Sequence, residues 1–246
     1  MSRVKLMNTE IDNLSMNEAI DEIDKLINLR HKYVVTPNVD HIVKLENDLE
    51  FREVYKNADL ILADGKPLIW ISKLYGTPIK EKISGSDIFP KVCELARRKS
   101  YSMFLLGAGP GVAEIASHNI ASIYHNINIV GTYSPPFGFE NNKHEINVIL
   151  DKVNSVKPDI LIVGLGAPKQ EKFIYSYIEK LDIGIAIGLG ASIDFMAGNV
   201  KRAPKWVSDI GLEWFYRFLQ EPKRLFKRYF VDDMKIIQLF FKYKKK

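Results

Sequence analysis

The stretch ILIVGLGAPKQEKF, Ile160–Phe173, decides the fold class. Four aliphatic residues in a row, without polar alternation, read as a strand buried on both faces, as in a parallel sheet. Glycines then turn the chain, and Pro168, Lys169 and Gln170 open a helix. Strand, glycine turn and helix in immediate succession are half of a βαβ unit.

The same unit recurs on both sides of this stretch. Short apolar runs precede turn signals at Tyr33–Val35 (TPN), Leu60–Leu62 (ADG), Ser102–Leu106 (GAGPG), Ile127–Val130 (GTY) and Ile183–Ile187 (GLGAS). Helical patterns lie between them at Met16–Asn28, Asp40–Asn57, Asp87–Lys99, Val112–His125, Glu145–Val156 and Lys169–Lys180. The alternation predicts an α/β, Rossmann-like fold: a mostly parallel sheet with flanking helices joined by right-handed crossovers. Ligands of such sheets bind beyond the carboxyl ends of the strands. The Gly-, Asp- and Asn-rich segments after each run are therefore expected on one rim.

From about Ala203 the strand signal stops. Residues 201–246 carry 13 Lys and Arg against 5 Asp and Glu, a net of +8, while the whole chain is only +5. The same segment holds 11 of the chain's 27 aromatic residues. It reads as two or three short helices, broken near Glu221–Pro222, and as a separate basic and aromatic appendage. The expected division is a catalytic domain over 1–202 and an appendage over 203–246 that faces the site, a membrane, or both.

Of 246 residues, 46% are hydrophobic and 26% charged, which supports a real core and excludes global disorder. One cysteine, Cys93, makes no internal disulfide and sits in a helical pattern that buries it. The opening MSRVKLMNTEIDNLS lacks the apolar core of a signal peptide, and no run is long enough to span a bilayer. A cytoplasmic chain on the inner membrane face is the expectation.

The rim motifs each admit a plain reading and a chemical one. GAGPG, with Gly107 and Gly109, is either a tight strand-to-helix turn or a phosphate cradle at a helix N-terminus. It lacks the third glycine of a dinucleotide fingerprint, and no acidic residue follows the next strand, so a nicotinamide cofactor is disfavoured. Asp64 in ADGKP is an Asp-Gly turn, or a general base for a sugar hydroxyl that is a poor nucleophile unaided. Thr36 and Asn38 in TPNVD either shape the Pro37 turn or orient a sugar. In GSD, Ser86 or Asp87 is a helix cap or a ligand group, with Lys82 placed to face a diphosphate. Gln170 stands in a helix first turn aimed at the rim, and Asp194 after a glycine turn suits ribose hydroxyls. No Asp-x-Asp stands at a strand end, the five histidines have no ligand spacing, and neither G-x-S-x-G nor a complete Walker A sequence occurs. No metal or other cofactor is expected, and a departing diphosphate would be met by Lys, Arg and backbone N–H groups.

TPNVDH, ADGKP, KISGSD, GAGPG, YSPPFG, GAPKQEKF, GLGASIDFMAGNVKRAPKW and LEWFYRFLQEPKRLFKRY, in that order, resemble the WecG/TagA/CpsF glycosyltransferases over about residues 5–230. The resemblance implies an inverting, metal-independent hexosyltransferase on the cytoplasmic membrane face. Its TagA-like members move N-acetylmannosamine from UDP to N-acetylglucosaminyl-diphospho-undecaprenol. The β-1,4 product starts the linkage unit of wall teichoic acid. By motif, Asp64 matches the proposed base. Thr36, Asn38 and Gln170 match polar residues around sugar and diphosphate, and Asp194 a nucleotide-binding aspartate. Arg217, Arg224 and one of Lys227 or Arg228 match basic residues that reach back over the site. Lys82 stands where many relatives have arginine, keeping the charge but losing bidentate phosphate binding. The implied partners are a UDP-sugar, a lipid-diphosphate acceptor and a membrane surface. Self-association is compatible with the apolar tail, and nucleic acid is not an expected partner. The alternatives are another UDP-sugar, such as the mannosamine uronate or a hexose, in surface-polysaccharide synthesis. More remote are an NAD-dependent oxidoreductase and a non-catalytic nucleotide-binding protein.

Overall fold

In the computed structural model, which describes residues 2–244, the chain begins with an antiparallel hairpin of β1 (Arg3–Leu6) and β2 (Thr9–Asp12). Helix α1 (Met16–Leu29) follows, closed at its start by a capping box between Ser15 and Glu18. Then come β3 (Lys32–Val35), α2 (Val39–Asn47), α3 (Leu49–Lys56), β4 (Leu60–Ile61), α4 (Lys66–Leu74) and α5 (Gly85–Lys99). Next are β5 (Ser102–Gly107), α6 (Val112–Ile123), β6 (Asn128–Tyr133) and α7 (Lys143–Val156). The last strands are β7 (Ile160–Gly164), followed by α8 (Lys169–Tyr177), and β8 (Ile185–Gly188), followed by α9 (Ser192–Ala197).

All six predicted apolar runs become strands of one sheet, in the order β4-β3-β8-β7-β5-β6, and every pairing in it is parallel. Alternate strand residues feed two cores. Tyr33, Val35, Phe104, Leu161 and Val163 pack with α2, α3, α7 and α8, while Val34, Met103, Leu105, Ile162 and Ile187 pack with α1, α5, α6 and α9. Double-sided burial is why these strands lack polar alternation; each fully buried Val, Leu or Ile contributes on the order of 2 kcal/mol. Cys93 is buried in the second core, as its helical pattern implied.

The connections place a ligand crevice. Strands β3 and β7 send their following helices, α2 and α8, to one face of the sheet. Strand β8 lies between them and sends α9 to the other face. The loops beyond these tips diverge, which opens the sheet at a topological switch point.

Residues beyond 203 form α10 (Lys205–Asp209), α11 (Glu213–Gln220), α12 (Pro222–Lys227), a π-helical turn over Arg228–Asp232 and α13 (Lys235–Lys244). The break at Glu221 is where the sequence put it, although the helices are more numerous than the two or three expected. The appendage folds back on the body. Leu225 and Leu239 are buried, Tyr75 donates from its hydroxyl to the Phe240 carbonyl at 2.6 Å, and Lys242 pairs with Glu46 at 2.5 Å. Among the described residues, no helix is long and apolar enough to cross a membrane.

Candidate active site

A cleft of about 900 Å³ opens over the carboxyl ends of β3, β4, β7 and β8 and is roofed by the appendage. Thr36, Asn38, Asp64, Lys82, Gln170, Asp194, Arg217, Arg224 and Arg228 all line it. Chain segments more than a hundred residues apart thus meet at one place.

The strand tips fix the floor. Thr36, at the end of β3 and 4% exposed, donates from Oγ1 to the Gly188 carbonyl on β8 at 3.0 Å. Asn38 caps α2 by accepting from the His41 N–H at 3.3 Å, and its Oδ1 also accepts from Arg228 at 3.4 Å. Gln170 is 2% exposed; its Oε1 accepts from the Gly190 N–H at 3.1 Å and its Nε2 donates to Glu171 at 2.6 Å. That carboxamide packs closely over Gly188, where an added Cβ would stand 3.1 Å from Gln170 Nε2.

Asp64 is held by its backbone, whose N–H donates to the Pro37 carbonyl at 2.8 Å. Its half-buried carboxylate has no hydrogen bond or ion pair among the described residues. Burial first, then the negative charges of Glu213 and Asp87, push the Asp64 carboxyl up to about 7, while Lys82 and Arg217 oppose the shift. A carboxylate left without donors in a cleft and tuned close to neutrality is what a general base requires.

The cations sit around it. Arg217 lies over the Phe195 ring at 5.8 Å, its buried Nε has no hydrogen-bond partner, and it makes no ion pair among the described residues. Arg224 holds Glu221 by a bidentate pair, Nε and Nη2 donating to its two carboxylate oxygens. Arg228 reaches Asp40 at 3.6 Å and Asp233 at 3.9 Å. Burial raises the Asp194 carboxyl despite Arg217 and Arg224, on the same side of the cleft. Lys82 pairs with Asp87 at 2.7 Å, and these bonds outweigh burial and raise its ammonium pKa. Asp87, although burial opposes it, is held down to about 2 by Lys82, Ser84 and Arg202.

Three sequence candidates stand elsewhere. Gly107 and Gly109 are not among the residues lining the cleft; a Cβ on Gly107, at φ +121°, would meet the Gly164 carbonyl oxygen at 2.4 Å. Lys227 is exposed and faces away, so Arg228 is the member of that pair at the cleft. The helix after KISG starts at Gly85 with Ser84 in the cap position, not Ser86 or Asp87, because the backbone is already helical one residue earlier.

Sequence reasoning also missed residues. Asp233 in the appendage is one of them: its side chain is 13% exposed, it lines the cleft, and burial lifts it to about 6. Asp40, Lys44, Ser208 and Glu213 line the cleft without having been singled out. Glu171 is wholly buried, with Oε2 unpartnered and its carboxyl pushed up by burial to about 7. The only signal for these was their proximity in sequence to Asn38, Gln170 and Arg217.

The profile of the "Glycosyl transferase WecG/TagA/CpsF family" matches residues 4–246. A Bacillus subtilis protein named N-acetylglucosaminyldiphosphoundecaprenol N-acetyl-beta-D-mannosaminyltransferase is 36% identical over 177 residues, 72% of this chain and 67% of its own. A protein of the same name from Bacillus spizizenii is 34% identical, over 78% of this chain and 72% of its own. One from Staphylococcus aureus is 26% identical over 91% of this chain and 87% of its own. With the profile spanning nearly every residue, the chain belongs to the WecG/TagA/CpsF family of glycosyl transferases.

Proposed function

We propose that this chain transfers N-acetylmannosamine from UDP to N-acetylglucosaminyl-diphospho-undecaprenol, the step that builds the linkage unit of wall teichoic acid. The names carried by relatives up to 36% identical support the substrate pair. The observation that carries the chemistry is Asp64, unpartnered and shifted to about 7, in a cleft it shares with Arg217.

Asp64 takes the proton from the acceptor's 4-hydroxyl as that oxygen bonds to the anomeric carbon of the donor sugar. The bond from that carbon to UDP breaks on the opposite face, and UDP departs with the electron pair. One displacement inverts the configuration, so one base suffices. Arg217 has an unused Nε and no carboxylate within ion-pair distance among the described residues, which suits it to the departing diphosphate. Arg224 and Arg228 lie beside it, and Asp194 on α9 is placed for the nucleotide's ribose. Thr36, Asn38 and Gln170 surround the position of the donor sugar. Residues 1–202 act as the catalytic body, and the appendage both supplies the arginines and meets the membrane that holds the acceptor's lipid.

A donor panel with a short-chain N-acetylglucosaminyl-diphospho-lipid acceptor tests this. UDP-N-acetylmannosamine is expected to turn over at least about tenfold faster than UDP-N-acetylglucosamine, UDP-glucose or the mannosamine uronate donor, consistent with contacts worth at least 1.4 kcal/mol. Transfer from another donor in its place would establish a different sugar on the same machinery. Absence of transfer from all of them would end the glycosyltransferase reading.

A further inference from the structure

Three side chains from the C-terminal segment converge on one pair of body residues. Arg202 pairs with Asp87 and donates to the Ser86 carbonyl at 3.2 Å. Ser208 accepts from Lys82 Nζ at 3.3 Å. Glu213, in the first turn of α11, lies 3.6 Å from Lys82 Nζ and accepts from Ser208 Oγ at 2.7 Å. Lys82 is only 12% exposed and is already committed to Asp87 at 2.7 Å. Its charge is therefore divided between two carboxylates, and Glu213 keeps part of its negative field.

That field falls on Asp64. Lys82, Ser208, Glu213 and Asp64 line the same cleft. The charged and titratable groups that act with Asp64 are Lys82 in the segment before α5, Asp87 on α5, Glu213 and Arg217 on α11, and Tyr55 on α3. Glu213 raises the Asp64 carboxyl, against Lys82 and Arg217, which lower it. Without it, Lys82 and Arg217 would stabilise the ionised form and make Asp64 a weaker proton acceptor. The Glu213 carboxylate is tied to Ser208 and Lys82, which leaves the unpartnered Asp64 carboxylate as the group suited to be the base.

We propose that Glu213 is a positioning residue for the transfer: latched to the body through Lys82 and Ser208, it sets a second carboxylate against the cations at Asp64, so the base has its full strength only while the appendage is docked. The proposal rests on Asp64 being the base. It makes the docking of α11 a condition for proton transfer as well as for diphosphate binding, through a residue of opposite charge to the arginines on the same helix.

The test is the pH dependence of kcat for the full chain, using UDP-N-acetylmannosamine and a soluble acceptor, with UDP affinity and thermal melting recorded alongside. Wild type is compared with Glu213→Gln, Ser208→Ala and Asp64→Asn. Removing the Glu213 charge lowers the proton affinity of Asp64, so the acid limb should move to lower pH by about half a unit or more. The plateau should fall by less than about tenfold, as expected for a weaker but intact base, with UDP affinity unchanged. Ser208→Ala, which loosens Glu213 without removing it, should move the limb the same way by less, and it stands as the readout if Glu213→Gln does not fold. An unmoved limb in these variants, with activity lost equally at every pH, would make Glu213 a mere strut and overturn the proposal. Wild-type turnover by Asp64→Asn would instead overturn the base assignment beneath it, a separate and recognisable failure.

Discussion

Asp64 has two costs attached to one property. Burial and Glu213 hold its carboxyl at about 7, against an ordinary aspartate near 3.8. Burial likewise raises Glu171 to about 7, while it pushes the His41 imidazole down to about 3. Between about pH 5 and 7 the folded chain keeps protons on Asp64 and Glu171 that the unfolded chain has released, so stability falls as pH rises through that window. His41 acts in the opposite sense: the unfolded chain protonates it below about 6.5 and the folded chain does not, so acid costs stability there. With Asp233, which burial lifts to about 6, three carboxyls outnumber the one imidazole. Asp64→Asn, which removes the charge but keeps the shape, should therefore be more stable than wild type by about 1–3 kcal/mol at pH 8, with a smaller gain at pH 5. Its turnover should drop by about a hundredfold or more, with UDP affinity preserved. Urea unfolding at the two pH values and a rate measurement check both halves. Equal stabilities at pH 8 would mean that the ionised carboxylate is not strained in the fold.

At the scale of elements, what was legible in the sequence follows from how each element is buried. Strands β3, β4, β5, β7 and β8 are enclosed on both sides, so their apolar runs stood out; the edge strand β6 is only half-buried, and the GTY read as its terminating turn is its own second half, Gly131–Tyr133. The β1–β2 hairpin escaped notice because its four-residue strands mix charged and apolar residues and its turn uses Met7 at φ 53° rather than glycine. The periodic run from Asp40 to Asn57 read as one helix, yet Asp48 leaves the helical backbone and caps α3 with its carboxylate, accepting from the Phe51 N–H at 2.9 Å. Helix α4 was missed beside the ADG turn, since Pro67 belongs equally to a loop or to a helix first turn. The rim residues were legible because turn chemistry marks strand ends; Glu213 and Asp233 were not, because only the fold-back of the appendage gives them a site to face. GAGPG remained open between a turn and a phosphate cradle, and its geometry makes a prediction. Gly107 combines a left-handed φ of +121° with a 2.4 Å approach of its missing Cβ to Gly164, whereas a Cβ at Gly109 meets only Val112 at 3.5 Å. Gly107→Ala should lose about 2–4 kcal/mol of unfolding free energy, and Gly109→Ala less than about 1. UDP affinity of the folded fraction should be unchanged in both; a selective loss of UDP binding with stability intact would return these glycines to the nucleotide.

Over the whole molecule, charge and apolar surface are sorted by direction. Arg217, Arg224 and Arg228 turn inward to the cleft, while Lys223 and Lys227, one helical turn apart on α12, turn outward. Phe226 there is 57% exposed and packs at a tilt against the Phe218 and Phe230 rings, and Leu219 is 62% exposed. An apolar ridge flanked by lysines is the chemistry that an anionic bilayer surface would bind, which makes the proposed membrane contact testable. Each outward lysine near such a surface is worth about 1 kcal/mol at low ionic strength, and the apolar ridge adds a contribution that salt does not screen. Co-sedimentation with vesicles separates the two. Binding to vesicles rich in anionic lipid should exceed binding to neutral ones and weaken as salt rises. Replacing both Lys223 and Lys227 with glutamine should cost about 2 kcal/mol, roughly thirtyfold in partition, and make binding less sensitive to salt. Leu219→Glu should weaken binding to both kinds of vesicle. Turnover on a water-soluble acceptor should survive the lysine changes, because neither side chain lines the cleft. Lost turnover on that acceptor would place Lys227 back among the groups that hold the diphosphate, and binding indifferent to lipid charge would remove the membrane from the role of the appendage.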